Sequence, residues 1–87
     1  MFGVEIETIN VDGCKYIKYS TLYDDNTQAL FLFNDYCNQI TYPHISGIDL
    51  DNVKSVSVKI FNTNHNSRTI LKLKKFTFEI QEQLSLF

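Results

Sequence analysis

The sequence has no tryptophan, one proline, three glycines and two cysteines among its 87 residues. So little proline and glycine is atypical of a disordered chain, and we expect this chain to fold. Two cysteines are too few for a disulfide framework, and Cys14 and Cys37 lack the close spacing of a zinc or redox pair. No apolar run reaches the length of a membrane span, and no signal peptide opens the chain. We therefore expect a cytoplasmic protein with reduced thiols and no membrane contact.

A large excess of charge of either sign is also missing. Eight Lys and Arg residues stand against ten Asp and Glu residues, for a formal net charge of −2. This balance excludes binding to nucleic acid by bulk charge, and it excludes a strongly acidic mimic of DNA. The length predicts one domain, which we place at residues 1–80, followed by a C-terminal peptide at 81–87.

Motifs for catalysis, metal binding and phosphate binding are absent from the sequence. His44 and His65 are the only histidines, and neither stands in a metal-ligand spacing. No glycine-rich phosphate loop is present, and no Ser or Cys lies in a recognised nucleophile motif. We predict a protein that is not an enzyme and that takes no cofactor.

The N-terminal part of the chain predicts a β-hairpin. The dipeptide Asp12-Gly13 is typical of a two-residue type I′ turn. With that turn, apolar residues of the two strands share one face, and opposite charges are paired on the other face. The expected pairs are Val11–Cys14, Glu7–Lys18, Ile6–Tyr19 and Phe2–Tyr23.

A helix is predicted over residues 26–40. The polar run at 24–27 favours an N-cap, and the residue before Pro43 is pushed out of the helical region. A short strand over 29–33 is the alternative, because that segment is aromatic and has no helix breaker. The apolar stripe of the helix has spacings of three and four, and it contains Ala29, Leu30, Phe33, Tyr36, Cys37 and Ile40.

After a predicted loop at 44–52, a second hairpin is expected. Residues 53–61 alternate between apolar and polar, and a turn centred on Asn64-His65 joins them to a second strand. A switch in the apolar alternation after Lys74-Lys75 indicates either a bulge there or a strand that changes its partner at that point. The expected pairs are Val58–Leu71 and Val56–Leu73, with Lys72 and Lys74 on the other face beside Ser57 and Ser55.

The predicted fold class is therefore α+β. The order ββαββ is most simply satisfied by a small antiparallel sheet of about four strands with one helix packed on it. An extended C-terminal tail follows the last strand.

Charge is unevenly distributed along the chain. Residues 1–51 contain eight acids and two bases, whereas residues 52–87 contain six bases and two acids. The basic residues of the second hairpin are best explained as a solvated sheet face with a lysine-protected edge strand, which natural sheets need. The alternative is a weakly basic sheet face that contacts phosphate, which would give weak or indirect contact with nucleic acid. The residues concerned are Lys59, Arg68, Lys72, Lys74 and Lys75.

The chain ends in the letters QLSLF, residues 83–87. This pentapeptide resembles the motif by which bacterial proteins bind the DNA polymerase III β sliding clamp, and all five positions match the pattern. The resemblance implies that Leu86 and Phe87 fill the deep pocket of the clamp and that Gln83 bonds at its rim. Leu84 would occupy the shallower part, with Ser85 as a spacer. The body of the domain resembles no family, and the alternating leucines are also compatible with a further strand.

The resemblance implies a non-catalytic protein that binds the sliding clamp. Such a protein either inhibits replication by occupying the polymerase-binding cleft or tethers a small domain to the replication fork. Its small size is typical of a factor encoded by a phage or another mobile element. The alternative is an inhibitory module of the anti-defence or toxin–antitoxin type, which acts through its folded surface and has a purely structural tail. The sequence does not determine the oligomeric state.

Overall fold

The computed structural model describes residues 1–47, 50–64 and 67–78. Within these residues the elements are β1 (Phe2–Asn10), β2 (Lys15–Tyr19), α1 (Asn26–Thr41), α2 (Pro43–Ser46), β3 (Val53–Asn64) and β4 (Ser67–Thr77). The four strands form one antiparallel sheet in the order β2-β1-β3-β4. The predicted α+β class, with a four-stranded antiparallel sheet and a helix packed on it, is confirmed.

The first hairpin is confirmed, but its predicted register is wrong by one residue. Glu5 lies opposite Tyr19, and Ile6 lies opposite Lys18. The connection is a three-residue loop rather than a type I′ turn, with Gly13 at a φ of 92° and the Asp12 side chain accepting from the Cys14 amide. The longer loop slides β2 by one position, and a slip of one residue turns every β2 side chain to the other face. Only the predicted pair Phe2–Tyr23 is retained, as an isolated bridge.

Helix α1 follows the predicted bounds closely, and the alternative strand over 29–33 is wrong. The side chain of Asp25 caps the helix by accepting from the Thr27 amide at 2.9 Å. Four residues of the apolar stripe are buried, namely Ala29, Phe33, Cys37 and Ile40. Part of the predicted loop is instead the one-turn helix α2, which begins at Pro43 because proline suits the first turn of a helix.

The second hairpin is also confirmed with a different register. At the turn, Asn64 lies opposite Ser67. Phe61 lies opposite Ile70 but Ile60 lies opposite Lys72, so Leu71 is an additional residue on the β4 side. The bulge is therefore near Leu71 and not at residues 74–75. Beyond it, Lys74 lies opposite Val58 and Leu73 lies opposite Lys59. The predicted pairs Val58–Leu71 and Val56–Leu73 are therefore wrong, as is the position of Lys72 and Lys74 beside Ser57 and Ser55.

The two faces of the sheet have different surroundings. Helix α1 packs against the central strands β1 and β3, and this side is the helix face. The buried cluster there consists of Val4, Ala29, Phe33, Cys37, Ile40, Val56, Val58 and Ile60. The opposite side, the open face, carries no helix in the described part of the chain. By the pairing register it displays Glu5, Glu7, Ile17, Tyr19, Lys59, Phe61, Arg68, Ile70, Leu73 and Lys75.

Candidate functional site

The predicted clamp-binding peptide lies outside the described residues, but its point of attachment is described. The Phe78 amide donates to the Lys54 carbonyl at 3.0 Å, so the β3–β4 ladder continues to that residue. Phe78 is partly buried against the core cluster. The peptide is therefore attached to the end of the sheet at which β3 begins. Four residues separate Phe78 from Gln83, so a fully extended chain spans about 18 Å between them. The five predicted contact residues are Gln83, Leu84, Ser85, Leu86 and Phe87.

The structure does not place the five predicted phosphate-contacting residues on one face. Lys59, Arg68 and Lys75 lie on the open face, whereas Lys72 and Lys74 lie opposite Ile60 and Val58 on the helix face. The expectation of a single basic face is wrong, because the one additional residue of the bulge near Leu71 exchanges the faces of all later β4 side chains. Contact of these residues with phosphate stays a prediction.

An ionic cluster lies on the open face and has Glu5 at its centre. Arg68 Nη2 donates to Glu5 Oε1 at 2.7 Å, and Lys59 Nζ lies 3.3 Å from Glu5 Oε2. Glu5 is only 7% exposed, so its carboxylate depends on these two cations for compensation. Two members of the predicted basic set are therefore already paired within the protein.

Two aromatic rings contact the guanidinium of Arg68. Its guanidinium carbon lies 3.9 Å from the ring centre of Phe61 and 5.1 Å from that of Tyr19. The two rings meet edge to face at 6.3 Å. Cation–π contacts of this kind favour Arg over Lys, because the planar guanidinium stacks while its edge donates to a carboxylate. We call Glu5, Lys59, Arg68, Tyr19 and Phe61 the Glu5 cluster.

Sequence reasoning missed the Glu5 cluster. The alternation of residues 2–9 predicts a polar face for Glu5, but its partners depend on β1 lying beside β3, and these two strands are more than 40 residues apart in the chain. The one usable signal was the isolated acid between two apolar neighbours, Val4 and Ile6. It does not identify a partner.

Half-exposed apolar side chains surround the Glu5 cluster on the open face. Ile17, Ile70 and Leu73 each leave roughly half of their surface in contact with water, and Leu73 is 55% exposed. A combination of exposed aliphatic side chains with an ordered Arg is typical of protein-binding surfaces more than of catalytic centres.

An apolar cavity of about 230 Å³ lies on the helix face, between the second half of α1 and the strands β1 and β3. Ile6, Ile40 and Val56 supply its apolar walls, and Tyr36 and Gln39 line it as well. The volume is below that of usual small-molecule sites. Among the described residues, no charged side chain lines the cavity.

Both thiols are free and both are held in the protonated form. A hydrogen bond and the negative charge of Asp12 raise the pKa of the exposed Cys14. Burial raises the pKa of Cys37. Because the thiolate is the reactive form, a raised pKa makes each thiol a weaker nucleophile at neutral pH.

The described part of the chain also lacks the features of two further classes of site. Residues 1–47, 50–64 and 67–78 contain no group of three or more His, Cys, Asp or Glu side chains that is arranged to hold a metal ion. No helix within those ranges has the length and apolar character needed to cross a membrane. No family model, no curated protein and no solved structure matches this chain.

Proposed function

We propose that this protein is non-catalytic and binds the bacterial DNA sliding clamp through residues 83–87. The observation that carries the proposal is the complete QLSLF pentapeptide at the C-terminus of the chain. A short apolar peptide can bind a hydrophobic groove in an extended form. Leu84, Leu86 and Phe87 are the anchors, and each contributes about 1.5–3 kcal/mol when it is fully buried.

The attachment of the peptide at one end of the sheet supports this use. The last described residue, Phe78, is tied to Lys54, and the pentapeptide follows only four residues later. A partner bound to residues 83–87 therefore stays close to the strand end that carries the peptide. Ordering a terminal peptide costs conformational entropy, so we expect a dissociation constant on the order of micromolar.

Occupancy of the cleft is the proposed mode of action. A ligand in the polymerase-binding cleft of the clamp excludes a polymerase from the same cleft, so binding inhibits replication by competition. In the tethering mode, the clamp instead holds the folded body near DNA or near a replication enzyme. The two modes differ in whether saturating protein lowers clamp-dependent DNA synthesis.

The first experiment is a calorimetric titration of a bacterial sliding clamp with the wild type and with the double variant Leu86→Ala and Phe87→Ala. Loss of two buried anchors should weaken binding by at least about 100-fold. The matched control is Phe31→Ala with Ile45→Ala, which removes one aromatic and one branched aliphatic side chain from positions that are 76% and 87% exposed on the body. The control should bind like the wild type.

Three results would count against parts of the proposal. No binding by the folded wild type would refute clamp binding. Equal weakening by the control variant would place the contact on the body of the domain. Tight binding without inhibition of clamp-dependent primer extension would leave tethering as the mode of action.

A second candidate function rests on the open face. Its half-exposed aliphatic side chains and the ordered Arg68 are suited to a protein partner. In that case the protein is an interaction module of the inhibitory type, and the tail has a structural role. This candidate predicts that the double variant at residues 86 and 87 loses stability and leaves partner binding by its folded fraction unchanged.

A further inference from the structure

Strand β4 has a strand neighbour on one side only within the described residues, so one of its backbone edges is unpaired. In an antiparallel pair, every second residue of a strand forms backbone hydrogen bonds with the neighbouring strand. The bond from the Phe78 amide to the Lys54 carbonyl shows which residues of β4 bond to β3. Even-numbered residues of β4 after the bulge bond to β3. The N–H and C=O groups of Leu73, Lys75 and Thr77 therefore point away from the sheet. These three residues offer a row of donors and acceptors to an added strand.

The charges along this edge are of one sign. β4 contains Arg68, Lys72, Lys74 and Lys75, and it contains no acid. Arg68 is paired with Glu5, but none of the three lysines forms an ion pair with a described residue. The other edge strand, β2, differs in this respect, because Lys15 lies 3.8 Å from Glu7.

The lysines also lie on both sides of the edge. Lys72 and Lys74 project on the helix face, where their ammonium groups lie 5.2 Å from the ring centre of Phe33 and 5.3 Å from that of Phe76. Lys75 lies on the open face. A strand added beside β4 would thus meet positive charge above and below its own backbone.

We propose that the free edge of β4 binds an extended acidic peptide segment by strand addition. Main-chain hydrogen bonds to residues 73, 75 and 77 supply the alignment, and carboxylates on both faces of the added strand pair with the lysines. The geometry favours a peptide over a nucleic acid, because a phosphate backbone uses one continuous basic face and lacks the alternating donors of a strand. Protection of the edge by lysine is compatible with this use, since lysines repel a second copy of the same edge. This proposal is independent of clamp binding by the tail.

The test uses the full chain and a synthetic probe, the acetylated peptide amide Val-Glu-Glu-Thr-Glu-Glu-Val, which places Glu on both faces of a strand. Binding is followed by NMR through amide shifts and amide exchange. We expect the largest shifts and slowed exchange at Leu73, Lys75 and Thr77. A probe with Gln in place of Glu tests the charges, and a probe with every peptide bond N-methylated tests the main-chain bonds, because alternate methylation would leave the donors of one strand edge intact. Both modified probes should bind much more weakly.

Two variants test the protein side of the contact. Lys72→Gln, Lys74→Gln and Lys75→Gln together should weaken binding about tenfold, as expected for a few partly screened charge pairs. Leu73→Pro removes one outward N–H without removing a ladder bond or a charge, and edge strands tolerate such a proline. It should also weaken the binding. The matched charge control is Lys15→Gln with Lys18→Gln on β2, with a change below about twofold.

The remaining outcomes overturn the proposal. If the wild type does not bind the acidic probe, the lysines only protect the edge from pairing with other strands, and the proposed peptide binding is wrong. If the N-methylated probe binds as well as the parent probe, the contact is electrostatic and strand addition is wrong, whether or not Leu73→Pro folds. If an eight-nucleotide oligothymidylate binds more tightly than the acidic peptide and shifts the same amides, the edge is a nucleic-acid contact.

Discussion

The helix face and the open face of the sheet differ in what they bury and in how the buried groups are stabilised. On the helix face, Val4 and Val58 are fully buried and pack with Phe33 of α1. On the open face, the most buried charged group of the described residues is Glu5, and it is covered by Arg68 and Lys59. One face excludes water with apolar side chains, and the other compensates a carboxylate with cations.

The difference indicates which face carries stability and which is available for binding. Apolar burial is roughly proportional to the area removed from water, so the helix face supplies most of the folding free energy. An ionic cluster at a surface contributes less, because water screens the charges and solvates them when they separate. The half-exposed positions of the open face and the β4 edge can therefore be altered for partner binding at little cost to folding, whereas Glu5 and Phe61 on the same face are buried.

The largest effect should come from the helix face. Phe33→Ala removes a side chain that is 2% exposed, and we expect the free energy of unfolding to fall by about 3–5 kcal/mol. Phe31→Ala, on the exposed side of the same helix, should change it by less than about 0.5 kcal/mol. Urea denaturation of both variants measures the contrast. Similar losses in the two variants would mean that α1 does not bury the face assigned to it.

An intermediate effect is expected from the Glu5 cluster. Glu5→Gln keeps the shape of the side chain but removes the charge that Arg68 and Lys59 share, and it should cost about 1–2 kcal/mol of the free energy of unfolding. Glu7→Gln is the matched control, because Glu7 lies on the same face of the same strand and pairs with a largely exposed lysine at 3.8 Å. The control should cost less than about 0.5 kcal/mol. Equal costs would show that the cluster has no special role.

The smallest effect should come from the apolar part of the open face. Leu73→Thr changes a side chain that is half exposed and should alter the free energy of unfolding by less than about 0.5 kcal/mol. Val58→Thr introduces the same hydroxyl on the helix face and should cost about 1–3 kcal/mol, because the hydroxyl is buried without a partner. Urea denaturation measures both variants. A large loss for Leu73→Thr would show that the open face is covered in the folded protein.

Local patterns predicted the elements well and the registers badly. The bounds of α1 followed from the apolar stripe and the cap at Asp25, since both act within a few residues. The hairpins followed from alternation and turn residues. Their registers did not, because one additional residue in a loop or a bulge reverses the faces of a whole strand. Gly13 and Leu71 mark the two places at which this happened.

The candidate sites also differ in whether local sequence patterns are enough to find them. The pentapeptide at residues 83–87 is visible in the sequence because a linear motif carries its chemistry in consecutive residues. The Glu5 cluster is not visible there, because it requires β1 to lie beside β3, more than 40 residues away in the chain. A lysine-protected edge strand is suggested by the sequence, but the strand order of the sheet is needed to assign that edge to β4.

By itself the sequence determined the α+β class, the position of the long helix, the two hairpins and the terminal peptide, because each depends on short-range periodicity or on adjacent residues. The tertiary structure alone decided that β1 and β3 are central, that Glu5 meets Arg68, and that the lysines of β4 lie on both sides of a free edge. The physical reason is that side-chain direction in a strand alternates at every residue. A pairing shift too small to alter the pattern of elements therefore decides which groups meet.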